Sequence, residues 1–199
     1  MRAAAAVLAL VVTASGAAAA DAQRTGRVSA QVGLKAATGG FAARLGLGWA
    51  IGFEAAYQPL RPDQSIGLGL SWSTTWAYYG ADSARVADSL SMIELAAGVR
   101  ARVPLGARRR PVLFLGGGLA LTRANEPPAL DGERSYVGPW AAAGIEDIVA
   151  GKDLWLPPIV DLVLRPVLGD AEFGLEVRYV VSSIDDGTIG LLLSISYGS

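Results

Sequence analysis

From residue 28 onward the chain alternates between large apolar residues and small or polar ones. Between Phe41 and Tyr57 the odd positions read Phe41, Ala43, Leu45, Leu47, Trp49, Ile51, Phe53, Ala55 and Tyr57. The even positions read Ala42, Arg44, Gly46, Gly48, Ala50, Gly52, Glu54 and Ala56. A period of two places one residue class on each face of a β-strand. So many glycines are incompatible with a helix there.

The same split recurs in Val28–Ala36, Ser65–Tyr79, Ile93–Leu105, Phe173–Val181 and Thr188–Gly198. In Ser65–Tyr79, the face Ile66, Leu68, Leu70, Trp72, Thr74, Trp76, Tyr78 opposes Ser65, Gly67, Gly69, Ser71, Ser73, Thr75, Ala77. Two stretches are less regular. Val112–Arg123 carries Phe114 among its small residues, and Tyr136–Asp147 has Trp140 and Ile145 on opposite parities. A bulge or an interior aromatic explains the latter. Turn signals separate the runs at Thr38-Gly39-Gly40, Arg61–Gln64, Gly80–Asp88, Gly106–Pro111, Ala124–Arg134, Ala150–Asp170 and Asp185-Asp186-Gly187.

The pattern predicts an all-β chain: eight antiparallel strands in an up-and-down barrel, with both termini at one end. Ala150–Asp170 is long for a turn and contains Leu154-Trp155-Leu156 and the apolar run Ile159–Leu168. It either adds a hairpin, giving ten strands, or packs a short segment on the barrel mouth.

Alternation alone fits two kinds of barrel. A soluble, lipocalin-like barrel is apolar inside, whereas a membrane barrel is apolar outside. The polar face separates them. From Ser65 to Ala77 it holds only Ser, Gly, Thr and Ala, where a water-facing strand needs charge. The charges on the other polar faces are of both signs: Lys35, Arg44, Glu54, Glu94, Arg100, Arg102, Glu176 and Arg178. They are expected to fill a narrow lumen as a structural network of ion pairs. Tyr57, Trp72, Trp76, Tyr78 and Tyr197 lie on the apolar faces toward strand ends. They are expected to form the aromatic girdle at the membrane interface.

Composition narrows the function. The net charge of −1 gives no electrostatic case for nucleic acid. Cysteine and histidine are both absent from the 199 residues, which removes disulfides, thiolate metal sites and the usual general base. No catalytic residue, cofactor or metal is expected, and the chain is read as a non-enzyme. Arg2, the apolar stretch Ala3–Val12 and the small-x-small site Ala20-Asp21-Ala22 before Gln23 read as a cleaved signal peptide. Ala18-Ala19-Ala20 is a second candidate cleavage site. Residues 1–22 are thus assigned to the signal peptide and 23–199 to the barrel domain.

The stretches Leu45-Gly46-Leu47-Gly48-Trp49, Gly116-Gly117-Gly118-Leu119 and Phe173–Tyr179, with the final Ile195-Ser196-Tyr197, resemble the small bacterial outer-membrane barrels. That class includes the OmpA transmembrane domain, OmpX and OmpW. The resemblance implies outer-membrane localisation, contact with outer-membrane lipid and lipopolysaccharide, and handling by the barrel assembly machinery. It leaves oligomeric state open. Enzymes of this class use a catalytic histidine, which this chain lacks. The expected role is structural or surface interaction. The alternatives are a narrow pore or lateral path for small or hydrophobic solutes, and a soluble exported binding barrel. Gly116-Gly117-Gly118 lacks the Gly-Lys-Ser/Thr of a phosphate loop and reads as lumenal packing. Arg108-Arg109-Arg110 is either a solvated turn or a contact to an anionic surface. Asp82, Asp88, Asp185 and Asp186 read as solvated loop acids.

Overall fold

A computed structural model describes residues 26–43, 45–57, 65–81, 90–105, 111–124, 135–182 and 186–198. The predicted signal peptide, Arg44, Asp82, Asp88, Asp185 and Arg108-Arg109-Arg110 lie outside the described residues. The strands are β1 (Gly26–Gly39), β2 (Leu45–Tyr57), β3 (Gly67–Ala81), β4 (Leu90–Pro104), β5 (Val112–Ala124), β6 (Ser135–Ala150), β7 (Glu172–Val181) and β8 (Asp186–Gly198). Each pairs antiparallel with its sequence neighbours, and β8 pairs with β1 to close the barrel. Closure satisfies the backbone on both sides of every strand, the condition for crossing a membrane without exposed edges. Residues 26 and 198 sit at the same end, here termed the termini end; the other is the far end.

Burial follows the alternation, inverted relative to a soluble protein. Leu68, Leu70 and Trp72 on β3 are 61–70% exposed, while Ser71, Ser73, Thr75 and Ala77 between them are buried. Lys35, Glu54, Glu94, Arg100, Glu176 and Arg178 are all buried inside. A lipocalin-like barrel, apolar within and polar without, is therefore excluded.

The structure departs from the sequence reading at the start of the second strand. The second strand begins at Leu45 rather than Phe41. Gly39 takes a positive φ of 68°, and Gly40–Ala43 coil into a 3-10 turn. A register irregularity between Leu45 and Gly48 then turns Leu45 inward, against its predicted outward parity. Phe114 faces inward with the small residues of its strand, 2% exposed, and Trp140, 7% exposed, is the interior aromatic offered for β6. A bulge is present as well, but later in β6, between Ile145 and Val149.

The segment after β6 adds no hairpin. It forms a 3-10 turn at Gly151–Asp153 and a helix, α1 (Pro158–Leu168). Its ends are pinned at the termini end of β6 and β7 by the Gly151 amide donating to the Ala171 carbonyl at 2.7 Å.

Candidate functional site

The interior is filled in tiers. Glu54 on β2 anchors the middle tier. It pairs with Arg100 on β4 and with Arg178 on β7, whose Nη2 lies 3.0 Å from Glu54 Oε2. Glu176 binds the same two guanidiniums, at 3.3 Å to Arg100 Nη2 and 2.6 Å to Arg178 Nε. Gln31 donates to both carboxylates at 3.0 and 3.2 Å, and Arg178 donates to Ser73 Oγ at 2.7 Å. Two cations and two anions from three strands thus form a compact quadrupole. Such a cluster fixes register more than it adds net stability, because desolvation offsets much of the attraction.

Toward the termini end, Arg27 reaches Glu146 at 3.1 Å, Asp147 at 2.8 Å and Ser196 at 2.6 Å. Arg102 reaches Glu146 at 2.7 Å and Asp147 at 3.6 Å. Glu146 also lies 3.3 Å from Arg100, joining this tier to the middle. Two adjacent acids facing one lumen would be impossible on a regular strand, where neighbours point to opposite faces. The bulge in β6 resolves this. Asp147 adopts φ 56°, which swings its carboxylate to the same side as that of Glu146.

Toward the far end the chemistry changes. Lys35 pairs with Glu94, which also accepts from Thr188 Oγ1 at 3.0 Å. Around and beyond this pair lies an apolar cluster that includes Leu45, Tyr79, Leu90, Met92, Ala124 and Leu192, with Tyr79, Met92 and Leu192 fully buried.

The inward aromatics share one device: each pairs across the sheet with a glycine. Phe114 faces Gly144, Trp140 faces Gly118 and Tyr79 faces Gly48. A Cβ added at Gly144 would meet the Phe114 ring at 2.6 Å, and one at Gly48 would meet the Tyr79 ring at 2.7 Å. The glycines supply the floor on which the rings lie, an arrangement known to pin strands. The Trp140 indole covers Gly116 rather than its paired Gly118, and its Nε1 donates to the Ala97 carbonyl at 3.1 Å. Gly116 is therefore the seat for the indole, while Gly118 lies close against the backbone of Ala97 and Gly98. The charged tier rests on these rings in turn. The Arg100 guanidinium stands 3.5 Å over Phe114, and that of Arg178 stands 5.5 Å from the Trp140 centroid.

Seven of the eight sequence-predicted network residues thus face the lumen together; Arg44 lies outside the described residues. Sequence reasoning missed Arg27, Gln31, Glu146, Asp147 and Glu172, whose Oε2 lies 4.0 Å from Arg27 Nη1.

On the exterior, the Trp49 and Tyr78 rings lie 6.0 Å apart toward the far end, with Trp76 on the same face. Tyr57 and Tyr197 lie at the termini end, beside Gly26 and Val28 of β1. Trp49 to Tyr57 spans roughly 27 Å along the strand, or about 20 Å of height at the usual barrel tilt, close to the ~25 Å apolar band of such barrels. Trp72 is the exception among the predicted girdle residues. It pairs with Ala97, in the middle of β4, and so belongs to the body of the band. Its position in the run Trp72, Trp76, Tyr78 suggested an edge, but β3 begins at Gly67, only a few residues earlier.

No protein-family model matches the chain, and no curated protein is detectably similar in sequence. Solved structures do match. Neisserial surface protein A is 14% identical, with 90% of this chain and 100% of that chain covered and a TM-score of 0.54. Ail, the attachment invasion locus protein of Yersinia pestis, is 12% identical over 87% of this chain and 99% of that one, with a TM-score of 0.49. Outer membrane protein AlkL is 12% identical over 92% and 94%, with a TM-score of 0.45. The first of these carries the comparison, and at such identity it speaks for the fold. Both the fold and the outward apolar surface of the chain are those of a small bacterial outer-membrane β-barrel.

Proposed function

We propose that the chain serves the outer membrane as a sealed, non-catalytic cylinder whose ends meet partners. The observation that supports this reading is the filling of the lumen. A conducting barrel keeps a continuous polar path, as the water-filled porins do. Here the charged residues of the middle are spent on one another, and buried Tyr79, Met92, Leu90 and Leu45 occupy the far end. Ions entering this lumen would have to break buried ion pairs and then cross an apolar section. The lack of histidine and cysteine in the whole sequence supports a role without covalent or acid-base chemistry. Outer-membrane lipid and lipopolysaccharide are the proposed surroundings, and the barrel assembly machinery the proposed route into them.

Single-channel recording in planar bilayers tests the seal. Folded protein is expected to give a silent bilayer. Steady unitary currents from folded protein would replace this reading with the pore.

A further inference from the structure

The connection between β6 and β7 is the longest described at the termini end, and the strand network does not need it: the Gly151–Ala171 hydrogen bond already closes the turn. What it carries is an apolar helix with its polar groups turned to its own chain. Asp161 and Arg165 are the only charged residues of α1, and they pair with each other. Arg165 also donates to the carbonyls of Gly151, Lys152 and Leu154 at 2.9, 2.8 and 3.1 Å. This binds the charged side of the helix to the preceding 3-10 turn, the element against which α1 chiefly packs. Trp155 just before the helix is 86% exposed, the highest value among the exposed large hydrophobics, and Leu164 is 39% exposed.

This surface continues one that is already assigned. The bulge in β6 leaves Ile148 and Val149 both exposed, 48% and 37%, at the root of the connection. The apolar band of the barrel therefore reaches the root of the connection at Ile148 and Val149; exposed Lys152 and Asp153 follow, and then exposed Trp155. A short helix with one polar stripe, an apolar remainder and a tryptophan beside it has the make-up of a segment lying in the headgroup region.

We infer that Trp155 and α1 form an in-plane anchor that seats the termini end of the barrel in the lipid headgroup–acyl boundary. The occupant of this surface is lipid. The inference rests on the membrane-barrel reading and extends it to a segment outside the barrel wall.

The sequence contains no cysteine, so single cysteines can be labelled with a nitroxide without background. Trp155→Cys, Leu164→Cys, Lys152→Cys and, on the barrel wall, Val99→Cys are refolded in phosphatidylcholine vesicles. Folding of each is checked by the mobility of unheated protein on a gel. Collision rates with oxygen, which partitions into lipid, and with a water-soluble nickel chelate are then measured. Labels at 155, 164 and 99 are expected to favour oxygen severalfold over the chelate, and the label at 152 to favour the chelate. Chelate-dominated labels at 155 and 164, beside an oxygen-dominated label at 99, would overturn the anchor alone. Labels at 155 and 164 shielded from both reagents would also overturn it, in favour of a protein contact. A chelate-dominated label at 99 would instead overturn the membrane-barrel reading. Positions 155 and 164 are independent, so one variant that fails to fold leaves the other to decide.

Discussion

The middle and the far end of the lumen meet the same demand with opposite chemistry. Both must fill a narrow cylinder whose backbone is fixed by eight strands. The middle fills it with Glu54, Arg100, Glu176 and Arg178, held by short contacts of stated direction. The far end fills it with Leu45, Tyr79, Leu90 and Met92, held by shape. The difference lies in tolerance. Packing accepts a neighbour of similar volume, whereas a buried charge accepts only a partner of opposite sign at the right place. The middle is thus the specifying section, because a register slip of one residue would turn its charges into lipid. The far end is the sealing section.

Four substitutions break or sharpen this contrast. Glu54→Gln keeps volume but leaves Arg100 and Arg178 short of a counter-charge. It should cost about 3–5 kcal/mol, the usual penalty for breaking a buried pair from one side, read as a fall in urea midpoint in vesicles. Trp140→Ala removes the indole between Gly116 and Arg178. It should cost about 3–5 kcal/mol as a large-to-small change, and the loss should persist when the charged residues are intact. Leu119→Arg places a charge on the lipid face of β5, where Leu119 is 62% exposed. It should cost about 2–4 kcal/mol in vesicles, while the same protein in water-rich detergent mixtures loses less. Met92→Leu, in the sealing section, should cost less than about 1.5 kcal/mol. Equal tolerance at Glu54 and Met92 in the same titration would remove the distinction between the sections.

The two sections also differ in how plainly the sequence displays them. Lys35, Glu54, Glu94, Arg100, Glu176 and Arg178 stand on polar parities in regular strands, so charge and alternation agree and their facing can be read directly. Arg27 and Glu172 are hidden for a simpler reason. Each sits one residue before the start that alternation suggests for its strand, at Val28 and Phe173. Glu146 and Asp147 are hidden by the bulge, since adjacent residues read as opposite faces until φ 56° at Asp147 intervenes. Phe114 and Trp140 stand out by parity, whereas Tyr79, Leu45 and Met92 are hidden by hydrophobicity itself. In a barrel whose outside is apolar, an apolar side chain carries no sign of facing inward. All three aromatics share a further signal, the glycine opposite each, but it requires knowing the register before the register is derived. Helix α1 was legible only as an apolar run, flanked by Pro157-Pro158 and interrupted by Pro166. Pro158 instead occupies the first helical position, where a proline is tolerated.

A sealed barrel with lipid outside makes a demand on β3 that neither an open pore nor a soluble barrel shares. Single cysteines at Ser71, Ser73 and Ala77, which face inward, and at Leu70, Trp72 and Trp76, which face outward, can be exposed in vesicles to a membrane-impermeant charged thiol reagent and to a lipid-soluble one. The inward set should resist both reagents until the protein is unfolded, and the outward set should react with the lipid-soluble reagent alone. Rapid labelling of Ser71→Cys and Ser73→Cys by the charged reagent in folded protein would contradict the seal, and labelling of the outward set by that reagent would contradict the barrel's place in the membrane.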